Sequence, residues 1–373
     1  MSSPASPVQS PSTLRLGILF GGRSAEHEVS LQSARNIVEA LDKTRYTLTL
    51  IGIDHEGRWY HDREGQWLSS EEPVDPLKLP TVEPLMLQPG HSESPLMNAD
   101  GTPLPALDAV FPVLHGTYGE DGAVQGLLRM MGLPFVGSGI LGSAAGMDKD
   151  LMKRLLVQAE IPTAPWVSCR QWEQDNLTPD YVASQIGDYP WFVKPANLGS
   201  SVGIHKIKGP QDFEAAIADA FRYDHKILIE KGLTCREIEC AVLGNASPKV
   251  SVPGEIRVQA EFYSYEAKYL DENGATLHIP AHLNPELVDQ IQAMALKTFQ
   301  VLEAEGLARV DCFLTPDDEI FMNEINTLPG FTRISMYPKL WEASGITYGA
   351  LLDELIQLAL QRAERERALK THF

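Results

Sequence analysis

The sequence contains no long hydrophobic run and few cysteines. Across its 373 residues no apolar stretch is long enough to cross a membrane, and the N-terminus lacks the basic-plus-apolar pattern of a signal peptide. The four cysteines are scattered, and Cys235 and Cys240 have no second pair or histidine cluster nearby to complete a zinc site. We therefore expect a cytoplasmic protein with reduced thiols and no membrane insertion.

Positive charge is also scarce, because the formal net charge is −19. This charge argues against nucleic acid as a partner, and we expect none, since phosphate-backbone binding needs a basic surface. A nucleotide substrate is not excluded, because a few lysines, backbone amides and a metal ion can hold phosphates locally. The chain is 43% hydrophobic and 22% charged, which is ordinary for a globular protein, and its length predicts two or three domains.

The first part of the chain is typical of an α/β domain. A buried strand at residues 14–20 ends in Gly21-Gly22, an amphipathic helix follows, and a second strand spans residues 46–54. This order predicts a βαβ unit with a parallel sheet. Residues 55–105, rich in Pro, Glu and Ser, predict an insertion of loops and short strands, and residues 1–13 a disordered tail.

Two α+β regions are predicted to follow. A strand at 190–195, a glycine-serine turn and a strand at 202–207 precede a helix at 211–222 and a strand at 226–230, which indicates a small antiparallel sheet. The small-residue segment 137–146 is interpreted as the boundary before this region. We expect domains over residues 14–138, 139–230 and 231–373.

The turn at residues 21–26, GGRSAE, joins the first strand to the first helix. Amides at a helix N-terminus bind anions, and a carboxylate there can bind an ammonium group. The spacing is not that of the G-x-G-x-x-G dinucleotide fingerprint. A plain helix cap with Ser24 as the N-cap residue is an equally good interpretation of the turn taken alone.

A second motif, KPANLGSSVG at residues 194–203, begins with a lysine at the end of a buried strand. Its glycines allow backbone amides to approach a phosphate closely, and its hydroxyls add donors. The motif lacks the spacing of a P-loop. The alternative is a plain hairpin turn, which the loop length and the position of Lys194 make less favourable.

A third constellation lies on two predicted neighbouring strands. Glu324 and Asn326 are two apart and share a strand face, and Asp311 and Arg309 share a face of the partner strand. Hard oxygen ligands on a rigid sheet suit Mg²⁺ bridging ATP phosphates. The alternative, a solvated polar face, fits poorly because both strands are otherwise apolar. A Tyr/Lys cluster at residues 265–269 is a weaker signal of a functional loop.

Taken together, these motifs identify a family. From about residue 14 to residue 360 the sequence resembles D-alanine–D-alanine ligases of the ATP-grasp superfamily. The matching strings, in the order of the family, are LFGGRSAEHEVS, PVLHGTYGEDGAVQGLL, LPFVGSG, MDKDLMK, VKPANLGSSVG, ILIEKGL, YSYEAKY, ARVDCF and NEINTLPGFT. The resemblance implies a three-domain ATP-grasp fold, with a parallel α/β domain followed by two α+β domains enclosing ATP. It also implies ligation of two D-alanines through an acylphosphate, for peptidoglycan precursor synthesis.

The resemblance further implies roles for individual residues. ATP would be bound by Lys149, Lys194, Ser200, Ser201, Glu230, Lys231, Gly232, Leu233 and Glu237. Two Mg²⁺ ions, or Mn²⁺, would be held by Asp311, Glu324 and Asn326. The two D-alanines would be bound by Glu26, His115, Lys268, Arg309, Gly330 and Ser335. The residues that take part in catalysis would be Glu26, Ser200, Tyr269, Arg309 and Ser335, with Ser200 and Tyr269 linked to Glu26 over the site.

Two alternatives remain at this stage. An enzyme of the same fold that accepts D-lactate would differ at Tyr269, which is present here. A non-catalytic binding protein would lack a metal ligand or a phosphate lysine, and none is missing. Because relatives are commonly homodimers, a homodimer is expected.

Overall fold

The computed structural model describes residues 13–70, 72–90, 94–258 and 275–370. Within these ranges the strands form three sheets. No helix in the described part of the chain is both long and apolar enough to cross a membrane.

The first sheet is built from the N-terminal strands. Its elements are β1 (Leu14–Gly21), α1 (His27–Ala40), β2 (Tyr46–Ile53), β3 (Trp59–Asp62), α2 (Gln66–Ser69), β4 (Val82–Leu87), β5 (Leu96–Asn98), β6 (Ala109–Val113) and α3 (Ala123–Met130). The strand order is β5-β4-β3-β2-β1-β6. β1 pairs in parallel with both β2 and β6, which confirms the predicted parallel βαβ unit. The segment predicted as an insertion extends the sheet with β3, β4 and β5 in antiparallel pairs.

The second sheet has the order β7-β10-β8-β9 and is antiparallel, as predicted. The elements of this region are α4 (Ile140–Met147), α5 (Lys149–Gln158), β7 (Trp166–Arg170), α6 (Pro179–Ile186), β8 (Trp191–Pro195), β9 (His205–Ile207), α7 (Phe213–Ala220) and β10 (Lys226–Lys231). The sequence did not predict β7 or α6. β9 begins at His205 rather than residue 202, because Ser200, Ser201 and Gly203 have φ angles of 52°, 61° and 68° that interrupt the extended chain.

Helix α4 covers most of residues 137–146, the segment interpreted from the sequence as the boundary between the first two domains. The small residues serve close packing. A Cβ atom at Gly142 would lie 2.6 Å from the carbonyl oxygen of Glu303, and one at Gly146 would lie 3.0 Å from the Ile325 side chain. The helix therefore packs directly against the strand that carries Glu324 and Asn326.

The third sheet has the order β14-β13-β11-β15-β16, with β12 paired to β11. Its elements are β11 (Arg236–Gly244), β12 (Lys249–Val250), β13 (Gly254–Val258), β14 (Ala275–His278), α8 (Pro285–Val301), β15 (Gly306–Leu314), β16 (Ile320–Asn326), α9 (Met336–Ala343) and α10 (Tyr348–Arg367). The two predicted neighbouring strands that carry Asp311 and Glu324 are present as β15 and β16, whereas β12, β14 and α9 were not predicted. Pro338 is tolerated in α9 because it lies in the first turn.

The C-terminal helix α10 fills a core between the first and third sheets. Leu351 and Leu355 are fully buried in one hydrophobic cluster with Phe20 of β1 and Leu307 of β15. Burying side chains of this size contributes about 2 kcal/mol each. The shared core holds the turn after β1 in a defined position relative to the polar residues of β15 and β16.

Candidate active site

The polar residues of β15 and β16 lie opposite one another across the pair of strands. The register pairs Asp311 with Glu324 and Arg309 with Asn326, with a bulge after Asp311. The Asn326 amide donates to the Asp311 carboxylate at 2.9 Å. The three side chains thus bring two carboxylates and an amide together, a set of hard oxygen donors that fits Mg²⁺.

Arg309 is held by two acidic side chains on the same sheet. Its Nε and Nη2 atoms donate to both carboxylate oxygens of Asp311, at 2.8 and 2.7 Å, and Nε lies 2.9 Å from Glu239. Burial alone would lower the pKa of Arg309, but the Asp311 and Glu239 carboxylates raise it well above its ordinary value. The guanidinium is therefore a fixed, permanent cation beside the acidic cluster.

Lys149 extends from the first turn of α5 toward the same cluster. Its Nζ lies 3.6 Å from Glu324 and donates to the Leu198 carbonyl at 2.6 Å. The helix start is fixed because the Asp148 side chain caps it and pairs with Lys226. Lys149 therefore links the loop predicted to bind phosphate with the predicted metal ligands.

The loop at residues 194–203 joins an antiparallel strand pair, as a hairpin would, but it also reaches the first sheet. The Ser200 hydroxyl donates a hydrogen bond to the Glu26 carboxylate. Glu26 is buried at the start of α1, which begins at His27, so the alternative with Ser24 as N-cap is wrong. Ser24 instead accepts a bond from the Glu26 amide at 3.1 Å. The loop and the turn are thus in direct contact.

Two lysines share one buried carboxylate at the back of this loop. Glu230 lies 2.6 Å from Lys194 and 3.2 Å from Lys153, and all three side chains are buried. Burial would raise the pKa of Glu230, but Lys153 and Lys194 lower it to about 2. Burial lowers the pKa of Lys153, whereas Glu230 raises that of Lys194 against burial. With all three charged, the cluster carries one surplus positive charge, which favours an anion.

The residues after β10 connect the second sheet to the third. The Gly232 amide donates to the Pro190 carbonyl at 2.8 Å, and a Cβ atom there would lie 2.9 Å from that oxygen. Lys231 donates to the Asp188 carbonyl, and Leu233 is half-buried beyond it. Glu237 follows on β11, near enough to Lys194 to raise its pKa. The backbone here passes close to the lysine pair.

His115 and the loop after β16 contact each other and the helix α1. His115 is buried, with Nδ1 2.9 Å from the Leu328 carbonyl and Nε2 3.2 Å from the Ser33 hydroxyl. Gly330 lies beside Ser335, whose hydroxyl accepts a bond from the Thr332 amide at 2.9 Å. Lys268 and Tyr269 lie outside the described residues.

Glu120 is a candidate site residue that was not identified from the sequence. Its two carboxylate oxygens accept bonds from the Gly116 amide at 2.9 Å and the Leu328 amide at 3.0 Å. Burial, with the nearby Glu26 charge, raises the pKa of Glu120 to about 8. The available signal was its place in the HGTYGEDG string. It lines a small cleft together with Lys149, Leu198, Gly199, Glu324 and Asn326.

Lys153 was also not identified from the sequence, although it lies one helical turn after Lys149 and so shares its face of α5.

We expect Lys153→Met to lower the free energy of unfolding by about 3 kcal/mol at pH 7, because one partner of a buried ion pair is lost. The pH dependence should change too. A carboxylate with a lowered pKa stabilises the fold above its unfolded pKa, and that contribution is lost as the pH falls toward its folded pKa of about 2. Without Lys153 the pKa of Glu230 should be higher, so this contribution to stability should begin to be lost at a higher pH.

Denaturant unfolding at pH 7 and pH 4 measures both effects. Lys249→Met is the matched control, because Lys249 forms an exposed pair with Glu354 at 3.0 Å and should change stability by less than about 0.5 kcal/mol. If the two variants lose the same free energy of unfolding, the buried ion pair contributes no more to stability than the exposed one.

Comparison with known proteins agrees with this geometry. Residues 15–138 match the family model described as D-ala D-ala ligase N-terminus, and residues 155–357 match the one described as D-ala D-ala ligase C-terminus. The chain is 52% identical over 359 residues to the D-alanine–D-alanine ligase of Oceanobacillus iheyensis, covering 96% of this chain and 98% of that protein. It is 51% identical over 360 residues to D-alanine–D-alanine ligase A of Escherichia coli strain K12, covering 96% and 99%.

Solved structures give the same result. The D-alanine–D-alanine ligase from Coxiella burnetii matches with a TM-score of 0.85 and 39% identity, covering 95% of this chain and 96% of that one. The VanG D-Ala:D-Ser ligase from Enterococcus faecalis matches with a TM-score of 0.82 and 33% identity, covering 93% and 100%. The fold and the site thus define a ligase with the ATP-grasp fold. Within that class, the chain belongs to the D-alanine–D-alanine ligase family.

Proposed function

We propose that this chain joins two D-alanines to D-alanyl-D-alanine, converting ATP to ADP and phosphate, for peptidoglycan precursor synthesis. The bond between Ser200 and Glu26 carries the proposal. It connects the loop suited to phosphate with the carboxylate suited to an ammonium group. The same loop meets Lys149, 3.6 Å from Glu324. These contacts support the proposal, because groups suited to phosphoryl transfer to an amino acid lie close to one another.

On the ATP side, the surplus charge of the Lys153–Glu230–Lys194 cluster supports binding of the phosphates by Lys194, with Lys149, Ser200 and Ser201. The backbone at residues 230–233 would hydrogen-bond adenine, and Glu237 the ribose. Asp311, Glu324 and Asn326 would hold two Mg²⁺ ions, with Mn²⁺ as a substitute. Bound there, the metal supplies neutralisation of phosphate charge.

On the amino-acid side, the Glu26 carboxylate would bind the ammonium of the first D-alanine, with His115 close by. Transfer of the ATP γ-phosphoryl group to its carboxylate makes an acylphosphate, while Lys149 and Lys194 balance the developing charge. The amine of the second D-alanine attacks the acyl carbon, and phosphate leaves. Arg309 and the Gly330 amide would stabilise the oxyanion formed in this step.

Binding of the second D-alanine completes the assignment. Lys268 and Ser335 would hold its carboxylate, and Tyr269 would join Ser200 and Glu26 above the site. An acylphosphate hydrolyses in water, so these loops would need to exclude solvent while it exists. The bond from Ser200 to Glu26 supports this closure on the side that the structure describes.

We also propose the domain limits 14–138, 139–230 and 231–373, and a homodimer in solution. The domain limits are supported by the sheets, because β1–β6, β7–β10 and β11–β16 fall almost wholly within them. Only Lys231, the last residue of β10, lies past a limit.

Phosphate release from ATP and Mg²⁺ in the presence of D-alanine tests the function, with the product identified by mass. We expect D-alanyl-D-alanine, and no turnover with L-alanine. Parallel reactions of D-alanine with D-lactate or D-serine determine the acceptor, and the likeness to a D-Ala:D-Ser ligase makes the second arm necessary. ATP binding without turnover on any substrate would support the non-catalytic alternative instead.

A further inference from the structure

A cluster of metal-ligating side chains lies outside the residues assigned to ATP and D-alanine. It consists of His27 and Glu28 in the first turn of α1 and His55 just after β2. One ligand atom from each of the three side chains lies within 4.8 Å of the other two. Residues 28 positions apart are therefore brought close enough that rotation of the two exposed side chains places all three ligand atoms on one ion.

The geometry of His27 is that of a prepared ligand. Its Nδ1 lies 2.8 Å from the Gly22 carbonyl oxygen, so Nδ1 carries the proton and Nε2 keeps its lone pair. Metal-binding histidines usually donate their second nitrogen to a carbonyl or carboxylate in this way, which fixes the ring. His27 is buried, and its ring stacks on that of His55 with centroids 3.9 Å apart, so the exposed His55 ring has to turn before both lone pairs face one ion.

The donor set indicates which ion would bind. Two imidazole nitrogens and one carboxylate suit Zn²⁺ and similar transition metals, whereas Mg²⁺ prefers an all-oxygen site such as the one on β15 and β16. Glu28 and His55 are exposed, so the ion has an open path from solvent and water can fill its remaining positions.

We propose that His27, Glu28 and His55 form a binding site for a transition-metal dication, represented by Zn²⁺. The ion would tie the start of α1 to the connection between β2 and β3. Because His27 follows Glu26 directly, the site would also restrain the turn that carries that carboxylate. The proposal concerns a second site and is independent of the ligase activity.

The test is calorimetric titration of the metal-free, full-length chain with Zn²⁺ in excess Mg²⁺, which keeps the oxygen site occupied. We expect one Zn²⁺ per chain and a loss of affinity of at least about tenfold in both His55→Ala and Glu28→Gln. The matched control is His282→Ala. His282 is an exposed histidine whose ring centroid lies 6.1 Å from that of His278, outside the cluster. The His282→Ala variant should bind Zn²⁺ with the affinity of the parent.

A thermal unfolding series gives a second, independent readout. Zn²⁺ should raise the unfolding midpoint of the parent and of His282→Ala, but not of His55→Ala. Because His55 and Glu28 are exposed, both variants should fold like the parent without metal. Equal Zn²⁺ affinity in the parent and His55→Ala overturns the proposal. Loss of Zn²⁺ binding in Glu324→Gln rather than in His55→Ala does so as well, since it assigns the ion to the oxygen cluster.

Discussion

Glu324→Gln is expected to lower turnover by about 10³-fold while ATP affinity changes little, since a metal ligand supplies several kcal/mol to phosphoryl transfer. The substitution keeps the size of the side chain but removes the charge that faces Asp311 across β15 and β16. It also removes the anionic partner of Lys149, 3.6 Å away. Binding is affected less, because Lys149 and Lys194 remain in place to hold phosphate.

Glu319→Gln is the matched control for this variant. This substitution makes the same chemical change five positions earlier in the chain, where Glu319 lies exposed in a turn. Its turnover should equal that of the parent. The measurement is phosphate release at saturating ATP and D-alanine, together with the affinity for ATP by calorimetry. Turnover of Glu324→Gln close to that of Glu319→Gln would remove Glu324 from the metal site.

The predictions that succeeded depended on local periodicity. The parallel start of the first sheet followed from a strand, a glycine turn, a helix and a strand in order. The shared face of Arg309, Asp311, Glu324 and Asn326 followed from the two-residue repeat of a strand. The pairing of Asp311 with Glu324 needed only a tight turn between neighbouring strands.

The features that were not predicted depend on contacts between parts of the chain that are far apart in sequence. Glu120 gains its role by accepting a bond from Leu328, 208 positions later, and Lys153 by pairing with Glu230 on another element. No local pattern encodes those partners. The glycines of α4 were interpreted from the sequence only as marking a domain boundary, and the helix and its close packing against Glu303 and Ile325 were not predicted. The roles of Lys268 and Tyr269 stay predictions, because these residues lie outside the described ranges.

Arg309→Lys is the second variant with a large expected effect. Arginine binds both oxygens of Asp311 and lies 2.9 Å from Glu239, and lysine cannot reproduce this fork with its single nitrogen. The positive charge remains, but its position relative to the reacting carboxyl carbon changes. We expect kcat to fall by about 10²–10³-fold, the effect of losing one oxyanion donor. Stability should also fall, because two buried carboxylates lose contacts.

Arg236→Lys separates the two effects. Arg236 forms the same forked pair with the buried Glu255, at 2.9 and 2.8 Å, on the third sheet but outside the site. It should lose stability with unchanged kcat, whereas Arg309→Lys should lose both. Steady-state kinetics at saturating substrates and denaturant unfolding of both variants make the comparison. If kcat falls equally in the two, the sheet requires these guanidinium forks for its structure, and Arg309 has no separate part in the chemistry.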